Sequence, residues 1–127
     1  MAKRAMTKQR FINQWLRHFV PGLRRKDYEN YVENQFIWHI FSFGILRPEG
    51  LLEGEEASGA FDRMEKENCI CCDMFDNGGV MASLPADYDT AAKIDGALSE
   101  FYVVAGDYSW TYLKTHSGHC YFLHRKL

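Results

Sequence analysis

The sequence predicts an α+β fold in which N-terminal helices pack on an antiparallel sheet formed mainly by C-terminal hairpins. Three observations carry that expectation. Apolar residues recur at helical spacing early in the chain, short apolar runs separated by turn residues cluster late, and no strand–helix–strand alternation calls for a parallel sheet. At 127 residues the chain matches one domain, 1–127, with no repeat, low-complexity tract or linker.

The first helix is read from Phe11, Ile12, Trp15, Leu16, Phe19 and Val20, whose spacing leaves Lys8, Arg10, Asn13, Gln14 and Arg17 on the opposite side. Pro21 and Gly22 end it. A second helix is expected through Tyr28, Tyr31, Val32, Gln35 and Phe36, with Asp27 and Glu29 at its positive end. From Phe36 to Leu46 the run is almost wholly apolar, which marks a buried segment and leaves helix or strand open.

Arg47-Pro48-Glu49-Gly50 reads as a loop. A third helix from about Glu53 to Lys66 follows, with Ala57, Ala60, Phe61 and Met64 inward and charges that suit its dipole. Cys69 to Phe75 and Val80 to Leu84 flank Asp76-Asn77-Gly78-Gly79 as a hairpin. After Pro85, Asp87 or Asp89 is expected to cap a fourth helix with Ala91, Ala92, Ile94 and Leu98 inward, and Gly96 costs that helix about 1 kcal/mol relative to alanine. Phe101 to Ala105, Trp110 to Thr115 and Cys120 to Arg125 then form a meander of three strands.

Charge is strongly segregated. Residues 1 to 26 hold eight Lys or Arg and no acid, whereas residues 27 to 100 hold sixteen acids against Arg47, Arg63, Lys66 and Lys93. Either the basic first helix lies beside the acidic middle and neutralises it, or the surface serves a charged partner. No apolar run approaches the roughly 18 residues that span a bilayer, so a soluble, cytoplasmic protein without membrane contact is expected. Four cysteines without a secretory signal point to thiols rather than a disulfide framework, and Cys71 and Cys72 should face opposite sides of their strand.

A candidate polar site collects His39, Ser42, Thr111, Thr115 and His116, with Lys114, His119 and Cys120 close in sequence. Alternation places Trp110, Tyr112, Lys114 and His116 on one face of their strand, and Thr111, Leu113 and Thr115 on the other. His39 sits inside an apolar block and needs a hydrogen-bond partner, for which Ser42, Thr111 and Thr115 qualify. His116 and His119 flank a turn and, with His39 or Cys120, offer the residue types of a zinc site or a small enzyme's centre. Their spacing selects neither, so no metal and no cofactor is expected.

The acids Glu49, Glu53, Glu55 and Glu56 form the candidate surface for another protein, with a basic, nuclease-like partner fitting by charge. Nucleic-acid binding through the basic first helix is the further alternative. It is disfavoured by overall acidity and by the lack of a base-reading motif or phosphate loop. Oligomeric state is not read from the sequence.

The blocks Trp38-His39-Ile40-Phe41-Ser42-Phe43 and Trp110-Thr111-Tyr112-Leu113-Lys114-Thr115-His116, with Gly54-Glu55-Glu56-Ala57-Ser58-Gly59-Ala60-Phe61 between them, resemble a family of small bacterial proteins known as a domain of unknown function. The resemblance runs from the Trp15 helix to His116. It implies the fold and a bacterial cytoplasmic setting and lends no catalytic residue. Ser117 departs from the acid with which many relatives follow the Thr-His pair.

Overall fold

The computed structural model describes residues 7–22, 41, 48–66, 68–73, 79–97, 100–115 and 118–125. The second predicted helix and all of the Phe36–Leu46 run except Phe41 lie outside them, as do Leu98 and the Asp76-Asn77-Gly78 turn.

Helix α1 spans Lys8–Phe19, and the Thr7 hydroxyl accepts the Arg10 N–H at 3.1 Å to cap it. The predicted periodicity holds: Phe11, Trp15, Phe19 and Val20 are buried, while Lys8, Arg10, Asn13 and Arg17 are exposed. A two-residue strand, β1 at Leu52–Glu53, leads directly into α2 at Gly54–Arg63. The chain makes that sharp entry through Gly54 at φ 61°, in the left-handed region. Helix α2 stops three residues short of the predicted Lys66. Lys66 nevertheless serves the helix end, its Nζ donating to the carbonyls of Asp62 at 3.2 Å and Met64 at 2.9 Å.

Strand β2 at Cys69–Asp73 pairs with β3 at Gly79–Met81, so Gly79 belongs to the strand rather than to the turn. A 3-10 turn at Ala86–Tyr88 precedes helix α3 at Ala91–Ala97. The expected aspartate cap is corrected here. The Thr90 hydroxyl accepts the Lys93 N–H at 3.3 Å and the Asp62 carboxylate, from α2, accepts the Ala91 N–H at 2.8 Å, whereas Asp89 pairs with the Lys93 ammonium at 2.9 Å. Ala91 and Ile94 face inward as predicted, but Ala92, one residue or about 100° further round the helix, is exposed.

Strands β4 at Phe101–Ala105, β5 at Trp110–Lys114 and β6 at Cys120–His124 complete a six-stranded antiparallel sheet in the order β1-β6-β5-β4-β2-β3. The predicted meander is its centre. Every residue of β4 and β5 is buried because both sheet faces are covered. On one face α1 and Phe41 pack against Cys72, Tyr102, Val104, Leu113, Tyr121 and Leu123. On the other, α2 and α3 pack against Cys71, Phe101, Val103, Trp110, Tyr112 and Phe122. The α+β class is therefore realised as three layers, helix–sheet–helices.

This layering bears on one part of the neutralisation expected between the basic first helix and the acidic middle, that of the α2 acids. The acids of α2 lie across the sheet from α1, so these two charged segments do not cover each other. Among the described residues no helix is long and apolar enough to cross a membrane.

All four cysteines are thiols. Cys71 and Cys72 face opposite sides of the sheet as alternation requires, and neither reaches Cys120, because β4 and β5 stand between β2 and β6. Burial pushes the Cys71 thiol up to about 12 and the Cys72 thiol up to about 11, from an ordinary 9.0. Unfolding then favours ionisation, so the fold keeps its full thiol contribution below about pH 9 and loses it as pH rises from there toward 11 and 12. The urea midpoint of the wild type should fall through that window, and Cys71→Ala should flatten the fall. An unchanged slope in that variant would refute the assignment. Native-state alkylation at pH 8 should modify half-buried Cys120 well before the buried thiols.

Candidate functional site

Thr111 falls on the α1 side of β5, as alternation predicts, and Thr115 follows the strand's end. The Thr111 hydroxyl accepts the Trp15 indole N–H at 2.9 Å and donates to the Val103 carbonyl at 2.8 Å, so it ties α1 to the sheet. The Thr115 hydroxyl accepts the His119 N–H at 3.1 Å, while the Thr115 N–H donates to the His119 carbonyl at 2.9 Å. Thr115 thereby closes the β5–β6 turn. Predicted site residues His39, Ser42 and His116 lie outside the described residues.

Lys114 and Cys120 are directly opposite each other on β5 and β6, on the far side of the sheet from Thr111. The sheet therefore divides the described members of the polar centre between its two faces. The Cys120 thiol donates to the Gly54 carbonyl at 3.2 Å and lies 3.4 Å from the Ser58 hydroxyl. Burial pushes the Tyr112 phenol well above its ordinary value, against the opposing pull of a hydrogen bond with Ser58. The Lys114 ammonium, on a nearly buried side chain, stands 3.9 Å from the exposed Asp95 carboxylate. His119 is exposed.

These groups line a cleft of about 490 Å³ between α2 and α3, with Glu55, Ser58, Asp95, Tyr112, Lys114 and Cys120 in its wall. A second cleft of about 420 Å³ opens on the other side of the Gly54–Cys120 contact, beside Phe41, Glu53, His119 and Tyr121. The sequence pointed to Lys114, His119 and Cys120. It missed Ser58, Tyr112 and Asp95 as members of the same wall. Strand alternation does put Tyr112 beside Lys114, but no local signal aims Ser58 of a helix at a strand 62 residues away.

The four predicted partner-binding acids, Glu49, Glu53, Glu55 and Glu56, are all exposed. Glu55 and Glu56 occupy the first turn of α2, where the helix dipole favours negative charge. Glu53 and Glu55 sit at the two clefts, so the acidic stretch forms their shared rim.

Among the described residues no group of three or more His, Cys, Asp or Glu side chains is placed to hold a metal ion. What the arrangement offers is an acidic, ridged surface with a partly buried cation behind it. A family model described as a domain of unknown function, DUF4275, matches residues 4–122, in agreement with the resemblance carried by the two Trp blocks. Comparison with curated proteins and with solved structures gave no match.

Proposed function

We propose that this chain, which belongs to the DUF4275 family, is a non-enzymatic protein-binding module whose partner is basic. The observation that carries this reading is the exposed run Glu49, Glu53, Glu55 and Glu56 around the entry to α2, with Glu55 and Glu56 on the helix that packs on the sheet face opposite the basic α1. A one-sign surface of this kind steers an oppositely charged protein into contact and fixes its orientation. The two flanking clefts give the surface relief into which partner side chains fit. Partners of the nuclease-toxin kind have the required charge, which makes an immunity or antitoxin-like role, or regulation of a basic partner, the specific form of the proposal. Its setting is the bacterial cytoplasm, where four thiols remain reduced.

Affinity capture from the native host tests it, with the wild type and a Glu53→Gln, Glu55→Gln, Glu56→Gln variant as baits. A basic protein should be retained by the wild type, and its association with the variant should be slower by roughly tenfold or more at low salt. The difference should shrink as salt screens the charges. A partner whose association ignores both salt and the triple substitution would overturn the proposal.

A further inference from the structure

A separate cluster stands on the α1 side of the sheet. The His18 ring stacks on Tyr108, with centroids 4.1 Å apart and planes inclined by 14°. Arg125 is held beside them because its N–H donates to the Ser109 carbonyl at 2.8 Å, tying the end of β6 to the β4–β5 turn. Its guanidinium nitrogen Nη1 lies 3.4 Å from His18 Nδ1, whereas its Nε is buried and has no hydrogen-bond partner. A buried N–H without an acceptor is rare enough in proteins to require a cause.

Two more guanidiniums act on the same stack. The charge of Arg17 bears on His18, and that of Arg10 on Tyr108. The ion pairs given by the described residues are Lys93 with Asp89 and Lys114 with Asp95, and neither involves these arginines. Among the described residues, Asp107 feels the charge of Arg125 but spends Oδ1 on the Ser109 N–H at 3.0 Å. Arg125, with hydrogen-bonding capacity left over, thus stands beside a half-exposed aromatic pair that the charges of the exposed Arg10 and Arg17 also reach. That is the donor set of an oxyanion site, since the guanidinium fork matches a phosphoryl or sulfuryl edge.

We infer that Arg10, Arg17 and Arg125, gathered around the His18–Tyr108 stack, form a binding site for a phosphoryl-type oxyanion, carried free or on a small phosphorylated molecule. Arg125 exchanges its Nη1 contact with the imidazole for the anion and brings the unpartnered Nε to it, and the charge of Arg17 adds to the attraction. The site shares no residue with the acidic surface at the entry to α2.

His18 gives the site a pH dependence. Burial, then Arg125 and then Arg17, hold the imidazole below its ordinary pKa, so it is neutral near pH 7 and accepts from Arg125. A bound anion offsets the two cations and favours the protonated ring. Among the described residues, the groups that act on it are Arg125 after β6 and Arg17 from α1, with Tyr108 stacked on its ring.

Titration calorimetry at low ionic strength with inorganic phosphate, pyrophosphate and sulfate tests the site. One saturable site per chain is expected, with sulfate, whose charge is constant there, binding more tightly as pH falls from about 8 to 5. Arg125→Gln and Arg17→Gln should each weaken binding by about tenfold, while Lys93→Gln on α3 leaves it unchanged. Arg17 is exposed, so Arg17→Gln decides the matter even if the Arg125 variant does not fold. Unsaturable binding, or affinity indifferent to Arg17→Gln, would overturn the inference. So would binding of a single-stranded oligonucleotide without pyrophosphate binding, because that describes an extended polyelectrolyte surface and not a discrete site.

Discussion

Trp15→Ala is expected to lower the free energy of unfolding by about 3–5 kcal/mol, read from urea denaturation. The indole is fully buried and packs on Phe19 and Phe41, each 5.6 Å away between centroids, and on Tyr102 at 6.3 Å. Truncation opens a cavity at the point where α1 meets the sheet, and none of these rings can fill it without leaving its own contacts. A double-mutant cycle with Trp15→Phe and Thr111→Val separates packing from the hydrogen bond. Thr111→Val removes the acceptor of the indole N–H and leaves that donor buried, at a cost of about 1–3 kcal/mol. In the Trp15→Phe background no donor is stranded, and the second substitution should cost markedly less. Additive costs would mean that the 2.9 Å contact between the indole and Thr111 contributes nothing to the seam.

The same pair shows which parts of the fold are readable in the amino-acid order. Spacing alone puts Trp15 and Thr111 each on the correct face of its element, because periodicity along one helix or strand fixes direction. That the two residues meet across 96 positions is a tertiary fact, and periodicity is silent on it. The same holds for coverage. The unbroken apolar character of Phe101 to Ala105 records burial on both faces, yet no local pattern says that α1 takes one face while α2 and α3 take the other.

Caps expose a second boundary. Asp87, Asp89 and Thr90 all have cap chemistry, and which one serves depends on where the chain turns. Here a carboxylate from another helix, Asp62, takes the first N–H of α3 and leaves Asp89 to Lys93. Strand β1 escapes notice because two residues carry no period; its pairing with Tyr121 and Phe122 defines it. As for the candidate site, the acids were legible as a charged stretch and the polar types of β5 and β6 as an alternation. The cleft that joins them arises from the packing of α2 and α3, which local sequence does not encode.

Gly106→Ala is expected to be the most disruptive single-methyl change among the described glycines, costing about 1–3 kcal/mol or more. A Cβ built at residue 106 would lie 2.3 Å from the Asn68 carbonyl oxygen, inside the contact limit of any carbon and oxygen. That obstacle is backbone and cannot rotate aside. Asn68 itself adopts φ 58°, a left-handed conformation that asparagine tolerates better than most residues, and it leads directly into Cys69, whose partner in the ladder is Ala105. Relieving the clash therefore requires either the start of β2 or the end of β4 to move, and both are buried strands at the heart of the sheet. The turn after Gly106 leaves little slack, since the Tyr108 N–H donates to the Ala105 carbonyl at 2.8 Å and Tyr108 is also left-handed, at φ 59°. Gly96→Ala supplies the contrast: a Cβ there meets nothing within 4 Å, and alanine in α3 should stabilise by up to about 1 kcal/mol. Opposite signs in the two denaturation midpoints are the expected result. Equal or reversed shifts would mean that the approach of Asn68 to Gly106 does not constrain the sheet.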